Sequence, residues 1–217
     1  MIKLGYLAFL LLASCSFGPG NLQSRRANDL ESRRIHRIAV LPPSEETAAR
    51  PRAIPGTTEP RNPERDAAET LTRILYSVMA AMPNWQIVSD QEVREISQGV
   101  SPAGDSARLR QIGEMVYADA VIVGHVRRFR ERVGDEWGAK SPASVGLVLD
   151  LIDVRRGDIV WSANFDETQK SLSENIFALS DITRRGVRWL TAEQLAQEGV
   201  KKAIAQLHDM IARAPTS

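Results

Sequence analysis

Two neighbouring stretches decide the fold: ADAVIVGHVRRFRERV at residues 118–133 and VGLVLDLIDVRRGDIVWSANFDE at residues 145–167. The first opens with a β-branched apolar run and predicts a long strand. In the second, two strand-like runs at 145–154 and 159–167 flank a short segment containing Gly157, which is typical of a tight hairpin turn. Residues 134–141 are predicted as a polar loop. Three consecutive strands of one sheet follow from this arrangement.

Outward from these strands, the remaining elements alternate in type. A first strand at 35–41 stops at two prolines, and a second, short strand lies at 85–88. Apolar residues at three-and-four spacing predict helices over 66–82, 89–99 and 105–116, and a closing helix opens at Thr191. The order β-α-β-α-α-β-β-β-α predicts one α/β domain over residues 35–214, with a mixed, about five-stranded sheet packed by helices. Residues 43–63 are rich in proline and predict a long surface loop within it.

Composition excludes several classes of protein. The chain has 217 residues, 43% hydrophobic and 25% charged, which is typical of a soluble globular domain. Its 28 Lys and Arg stand against 27 Asp and Glu, so no excess positive charge favours nucleic acid as a partner. One Cys excludes an internal disulfide and a multi-thiolate metal site.

The N-terminus reads as a secretory signal followed by an anchor. Lys3 precedes an apolar run over residues 4–12, which is too short to span a bilayer. Residues 1–14 are therefore predicted to be a signal peptide. Cys15 follows directly, and residues 15–34, which contain few large apolar residues, are predicted to be a flexible tether.

The sequence Leu12-Ala13-Ser14-Cys15 resembles the lipobox of bacterial lipoproteins. The resemblance implies that Cys15 carries acyl chains such as palmitate, becomes the first residue after cleavage, and holds the protein to a membrane. Several acyl chains make an effectively permanent anchor, because each buried CH₂ contributes about 0.8 kcal/mol. Ser16, where inner-membrane retention would favour Asp, implies the periplasmic side of the outer membrane.

Three segments of the body resemble a second group. Arg37–Pro42, Ala118–Gly124 and Leu149–Trp161 are similar to segments of periplasmic lipoproteins related to the TolB amino-terminal domain. That group includes the curli-secretion lipoprotein and the penicillin-binding-protein activator lipoprotein. The resemblance covers about residues 35–212 in element order and implies a scaffold for protein contacts in the cell envelope. It carries over no catalytic motif, and the charged strand at 127–132 is unlike a membrane-inserting hairpin.

No catalytic, cofactor or metal site is predicted. His36, His125 and His208 do not have the spacing of a zinc site, and no phosphate-binding glycine loop is present. An enzyme would need a site assembled wholly by long-range folding. We therefore expect the protein not to be an enzyme.

Two sets of residues are candidates for binding a partner. Strand alternation predicts Arg128, Arg130 and Arg132 on one face and Arg127, Phe129 and Glu131 on the other. The arginines either form a solvated strand end that discourages edge pairing or dock an acidic protein, lipid phosphates or an anionic glycan. The second set lies in the segment 172–190, where Arg184, Arg185 and Trp189, with Phe177, have an interface-like composition or pack on the domain's own core.

The function predicted from the sequence is binding. We expect a lipid-anchored periplasmic assembly or regulatory protein of the cell envelope that acts through protein–protein contacts. A subunit of an outer-membrane secretion or export complex is the alternative. The membrane is the predicted partner of Cys15, an envelope protein of unknown identity is the second partner, and a second copy of the chain stays open as a third.

Overall fold

Six strands form one mixed sheet in the computed structural model of the chain, which describes residues 21–41, 63–100, 105–169 and 189–213. Its strand order is β1-β8-β7-β4-β2-β3, and a separate two-stranded sheet contains β5 and β6. The strands are β1 (Leu22–Arg26), β2 (Arg37–Leu41), β3 (Gln86–Ile87), β4 (Ala120–Arg130), β5 (Val133–Gly134), β6 (Ala139–Ser141), β7 (Ser144–Asp153) and β8 (Ile159–Thr168). The helices are α1 (Pro63–Met79), α2 (Asp90–Gly99), α3 (Asp105–Met115) and α4 (Ala192–Ala212). The fold is a single α/β domain, as the sequence predicted.

The sheet is parallel on one side and antiparallel on the other. β4 pairs with β2, and β2 with β3, in parallel, and helices connect these strands along the chain. β4, β7, β8 and β1 pair in antiparallel fashion. The turn between β7 and β8 contains Gly157 at φ 74°, the left-handed conformation that glycine adopts without steric penalty. The predicted hairpin at this point is confirmed.

The two faces of the sheet bury separate apolar clusters. Helices α1 and α4 pack over the larger cluster, which includes Ile122, Leu151 and Trp161. Helices α2 and α3 pack over a smaller one around Val121 and Val123 on the opposite face. Successive residues of β4 therefore point into different clusters, and this explains the uninterrupted apolar run that predicted the strand.

Local capping signals in the sequence place the helix starts correctly. Ser89 Oγ accepts a hydrogen bond from Glu92 N–H at 3.3 Å and caps α2. Thr191 Oγ1 accepts one from Gln194 N–H at 3.1 Å, and Gln194 Oε1 accepts one from Thr191 N–H at 3.0 Å. This reciprocal pair is a capping box that satisfies two amide groups without partners in the helix. All four predicted helices are confirmed.

The predicted tether over residues 15–34 is wrong from residue 21 onward. β1 pairs with β8 along its whole length, with Leu22 opposite Phe165. A short 3-10 turn follows, in which Leu30 is fully buried in the larger cluster. No strand was predicted here, because β1 is an edge strand and its polar alternate residues occupy a face that no described helix covers. The domain therefore includes residues 21–34, which the sequence analysis assigned to the tether.

The predicted polar loop over 134–141 is an ordered hairpin. Val133 pairs with Ser141 and Gly134 with Ala139, which forms the two-stranded sheet of β5 and β6. The carboxylate of Asp135 accepts hydrogen bonds from the N–H groups of Trp137 at 2.9 Å and Gly138 at 2.7 Å. These side chain–backbone bonds fix the turn. The predicted loop at 43–63 lies outside the described residues, except that residue 63 begins α1.

Candidate partner-binding site

A β-bulge changes which residues of β4 share a face. Val126 pairs with Leu147 and Arg128 with Gly146, so that Arg127 is an extra residue in β4. A Cβ placed on Gly146 would lie 3.4 Å from the Arg128 Cβ and 3.6 Å from the Arg127 Cβ. Both arginines therefore lie on the same face, and the prediction that alternation separates them is wrong. An inserted residue breaks the two-residue period, and nothing in the local sequence indicates it.

The bulge leaves Phe129 and Arg130 as predicted, on opposite faces. Phe129 packs against the larger apolar cluster opposite Val145, whereas Arg130 pairs in register with Ser144. Because alternation resumes after the bulge, the Phe129 ring stays on the core side of the sheet. Arg128 and Arg130 therefore share the polar face, as the sequence predicted.

Arg128 is held by the neighbouring strands. Its Nε donates a hydrogen bond to Ser144 Oγ at 2.5 Å, and its Nη2 lies 2.5 Å from Asp166 Oδ1. Its side chain is 30% exposed. Arg128 is therefore partly neutralised by its own domain, and an incoming anion would compete with Asp166.

Arg130 is the more available of the two. It is exposed, and within the described residues its guanidinium has no hydrogen bond or ion pair. With Arg128 it lines a groove of about 500 Å³, here called the hairpin groove, between the end of β4 and the β5–β6 hairpin. The other lining residues are Glu131, Val133, Ser141, Pro142, Ser144 and Thr168. The Arg130 guanidinium, unpaired within the described residues, lies beside a partly apolar surface of the groove. This arrangement suits an acidic protein segment.

Arg132 belongs to the fold. Its Nη1 donates a hydrogen bond to the carbonyl oxygen of Trp189. The Trp189 N–H donates to the carbonyl oxygen of Glu136 at 2.8 Å. Arg132, just after β4, and the β5–β6 hairpin thus hold the segment that leads into α4. Among the described residues, the predicted set of docking arginines therefore reduces to Arg128 and Arg130.

Glu131 has a related structural role. Its Oε2 accepts a hydrogen bond from Ala192 N–H at 3.1 Å, in the first turn of α4. A carboxylate at this position satisfies an amide with no partner in the helix and interacts favourably with the positive end of the helix dipole. Charges that the sequence presents as one stripe are therefore divided between anchoring α4 and lining the hairpin groove.

Trp137 is a surface feature that the sequence analysis missed. It lies in the turn of the β5–β6 hairpin and is 71% exposed, and the neighbouring Val133 is 57% exposed. Large exposed aromatic residues on a fixed turn are typical of protein contacts, in which Trp and Arg are enriched. The signal available in the sequence was a tryptophan in an otherwise polar stretch next to Asp135 and Gly138.

Several predicted residues cannot be placed. Cys15, Phe177, Arg184 and Arg185 lie outside the described residues. Trp189 is described and half-buried. Within the described ranges, no group of His, Cys, Asp and Glu could hold a metal ion, and no helix has the length and apolar character needed to cross a membrane.

Comparisons with known proteins agree on the fold. No protein-family model matches the chain, and no curated protein matches its sequence. Among solved structures, PelC from Paraburkholderia phytofirmans, a dodecamer, is 18% identical and superposes with a TM-score of 0.50 over 87% of this chain and 98% of that one. At this identity the likeness shows a shared fold.

Two further similar structures are weaker matches. The LpoB C-terminal domain from Escherichia coli is 22% identical, with a TM-score of 0.35 over 47% of this chain and 70% of that one. Lipoprotein GNA1162 from Neisseria meningitidis is 16% identical, with a TM-score of 0.41 over 70% of this chain and 98% of that one. LpoB is a penicillin-binding-protein activator lipoprotein, so the structural neighbours include a member of the group that the sequence resembles.

Proposed function

We propose that the protein is a lipid-anchored binding protein of the cell envelope that assembles or regulates a partner through the hairpin end of its sheet. The hairpin end comprises Arg128, Arg130, Val133 and Trp137. The observation that carries this proposal is the exposed Trp137 on a fixed turn at the same end of the sheet as Arg130, whose guanidinium has no hydrogen bond or ion pair within the described residues. The lipobox-like sequence ending at Cys15 supports anchoring on the periplasmic side of the outer membrane.

The position of the anchor relative to the hairpin end supports the same proposal. The Asn21 carbonyl oxygen accepts a hydrogen bond from Asp166 N–H at 2.8 Å, so the chain enters the sheet at the end where β4 finishes. Cys15 precedes Asn21 by six residues (21 − 15), which span at most about 20 Å. An acylated Cys15 would keep the hairpin end close to the membrane. The partner is therefore an envelope protein that presents an acidic or apolar segment near that surface.

Nothing in the described residues favours catalysis over binding. The proposal is that the protein turns over no substrate and needs no cofactor. Asp29 and Asp158, whose carboxyl pKa values are lowered by hydrogen bonds from Arg33, take part in ion pairs that hold the fold. Burial raises the pKa of Tyr76, whose hydroxyl donates to the Val40 carbonyl oxygen at 3.1 Å.

Crosslinking in native envelopes tests the hairpin end. The variants are Arg130→Ser and Trp137→Ser, compared with Arg155→Ser, which removes an exposed arginine from the β7–β8 turn at the opposite end of the sheet. We expect the first two to lower partner recovery about tenfold or more, because such residues often contribute 2 kcal/mol or more to an interface. Recovery that stays unchanged in both would exclude this surface. Arg132 is not a useful position, because its loss would also disturb the entry to α4.

An export-complex subunit is the second candidate function. PelC, which shares the fold, is a dodecamer. If this chain acts in the same manner, light scattering of the detergent-solubilised protein would give a mass many times the monomer's 24.0 kDa. A monomeric mass at micromolar protein concentration would exclude the export-complex subunit and leave the binding protein as the remaining candidate.

A further inference from the structure

Over most of the antiparallel part of the sheet, the described residues leave one face uncovered. On that face helices α2 and α3 pack over β2, the start of β4 and the last residues of β7, where Ile152 joins their cluster. Over β1, β8, the rest of β7 and the end of β4, no described helix packs on it. A groove of about 320 Å³ lies there, here called the open-face groove. It is lined by Gln23, Arg25, Arg127, Val148, Ser162 and Asn164.

The β-bulge adds Arg128 to the face that already carries Arg127. Regular alternation from Val126, which packs on the core side, would turn Arg127 toward the open face and Arg128 toward the core. The structure instead places both Cβ atoms beside Gly146, on that face. Bulges that redirect a side chain are over-represented beside functional sites.

Arg25 and Arg127 are both exposed, and within the described residues neither guanidinium has a hydrogen bond or ion pair. Of the carboxylates on the same face, Asp166 is bound by Arg128, and Asp150 lies 3.9 Å from the imidazole of His125. Two like charges that line one groove repel each other, and a bound anion would relieve that repulsion.

The remaining lining residues indicate which kind of anion fits. Gln23, Ser162 and Asn164 offer neutral hydrogen-bond donors and acceptors, and Val148 is the single aliphatic side chain. A protein partner would need an apolar or aromatic anchor, which this groove lacks. A ligand with many hydroxyl groups and spaced carboxylates matches both the amides and hydroxyls and the two guanidinium forks.

We propose that the open-face groove binds a carboxylate-bearing oligosaccharide, with Arg25 and Arg127 each pairing with a carboxylate. The site goes beyond the proposed function and does not use the hairpin end. It also does not depend on acylation of Cys15, so the two proposals fail or stand separately.

Isothermal titration of the full-length protein in detergent tests this proposal. The probe is tetragalacturonate, which carries one carboxylate on each sugar, and the neutral control is maltotetraose. We expect the acidic sugar to bind at low ionic strength, its affinity to fall as salt is added, and the neutral sugar not to bind. The double variant Arg25→Gln/Arg127→Gln should bind it at least about tenfold more weakly, because each charge-assisted hydrogen bond lost is worth about a factor of ten.

Matched controls separate this site from general attraction to positive charge. Arg155→Gln and Arg130→Gln remove exposed arginines outside the groove and should leave the affinity unchanged. Equal weakening in these variants, or no binding by the unaltered protein, would overturn the proposal. Tetraglutamate has the same number of side-chain carboxylates on a peptide. Tighter binding of tetraglutamate than of tetragalacturonate would assign the groove to an acidic protein segment, and this result would also overturn the proposal.

Discussion

At the scale of single residues, Arg33 holds the N-terminal segment to the β7–β8 turn. Its guanidinium lies 2.8 Å from Asp153 Oδ2, 3.0 Å from Asp158 Oδ1 and 2.9 Å from Asp29 Oδ2. The Arg33 side chain is 7% exposed, and the hydrogen bonds that it donates, to Asp158 above all, raise its pKa above the ordinary value for arginine. A charge buried to this degree is stable only because its partners are present.

Replacing Arg33 is therefore expected to destabilise the fold strongly. Arg33→Met removes the cation and leaves Asp153, whose side chain is 11% exposed, without its counter-charge. We expect a loss of about 3 kcal/mol in the free energy of unfolding. Urea denaturation followed by circular dichroism measures it.

Arg156→Met is the matched control. Arg156 also contacts Asp29, at 3.0 Å, but its side chain is 65% exposed, and exposed ion pairs contribute about 1 kcal/mol or less. Equal losses in the two variants would show that burial does not set the strength of this cluster.

The same cluster predicts a pH dependence of stability. The hydrogen bonds from Arg33 lower the pKa values of Asp29 and Asp158 below 3.8. A carboxyl with a lowered folded-state pKa stabilises the protein above its unfolded-state pKa, and the contribution is lost as the pH falls through the folded value. We expect the urea midpoint to decrease below about pH 5, and to decrease less steeply in Arg33→Met. Parallel slopes for the two proteins would contradict this origin.

Sequence reasoning could not find this cluster, because its members are far apart along the chain. Asp153 and Asp158 lie 120 and 125 residues from Arg33. By contrast, the capping residues Ser89 and Thr191 were predicted correctly, since each contacts a residue three positions away. Range along the chain, and not the strength of the interaction, decides which contacts a sequence reveals.

At the scale of elements, helix α4 approaches the sheet closely at one glycine. A Cβ on Gly199 would lie 2.5 Å from Cδ1 of the buried Phe165 ring. The helix can lie against β8 here only because this position has no side chain. Its amphipathic pattern predicted the helix but not this contact, because a glycine inside a helix is otherwise unfavourable.

Gly199→Ala should therefore destabilise the domain although alanine is the better helix former. Overpacking a core costs about 1–3 kcal/mol, which exceeds the gain in helix propensity of about 1 kcal/mol. Gly99→Ala in α2 is the control, because no atom lies within 4 Å of a Cβ there. Thermal unfolding should give a lower midpoint for the first variant and an unchanged or higher one for the second. A rise in both would mean that Phe165 moves aside freely.

The strands differ in how well the sequence predicted them. The apolar runs of β4, β7 and β8 predicted their positions to within a few residues. β1 was missed because Leu22 is its only apolar residue, so the strand has no apolar alternation. The bulge at Arg127 was missed because an inserted residue is visible only in the pairing with β7, where Val126 lies opposite Leu147 and Arg128 opposite Gly146.

At the scale of the whole molecule, the chain's entry into the sheet and the hairpin end lie on the same side. The Asn21 carbonyl oxygen accepts a hydrogen bond from Asp166 N–H, and β4 finishes at the same end of the sheet. Asn21 follows Cys15 by six positions. Under the proposed acylation of Cys15, the protein would act on partners close to the membrane that holds it.

This account depends most directly on the chemical state of Cys15 in the native cell. Mass spectrometry of the intact protein, extracted with detergent from its own membranes, measures that state. The account predicts a chain that begins at Cys15 and carries acyl groups on the sulfur and the new amino group. A chain that still begins at Met1, with a free thiol at Cys15, would contradict it.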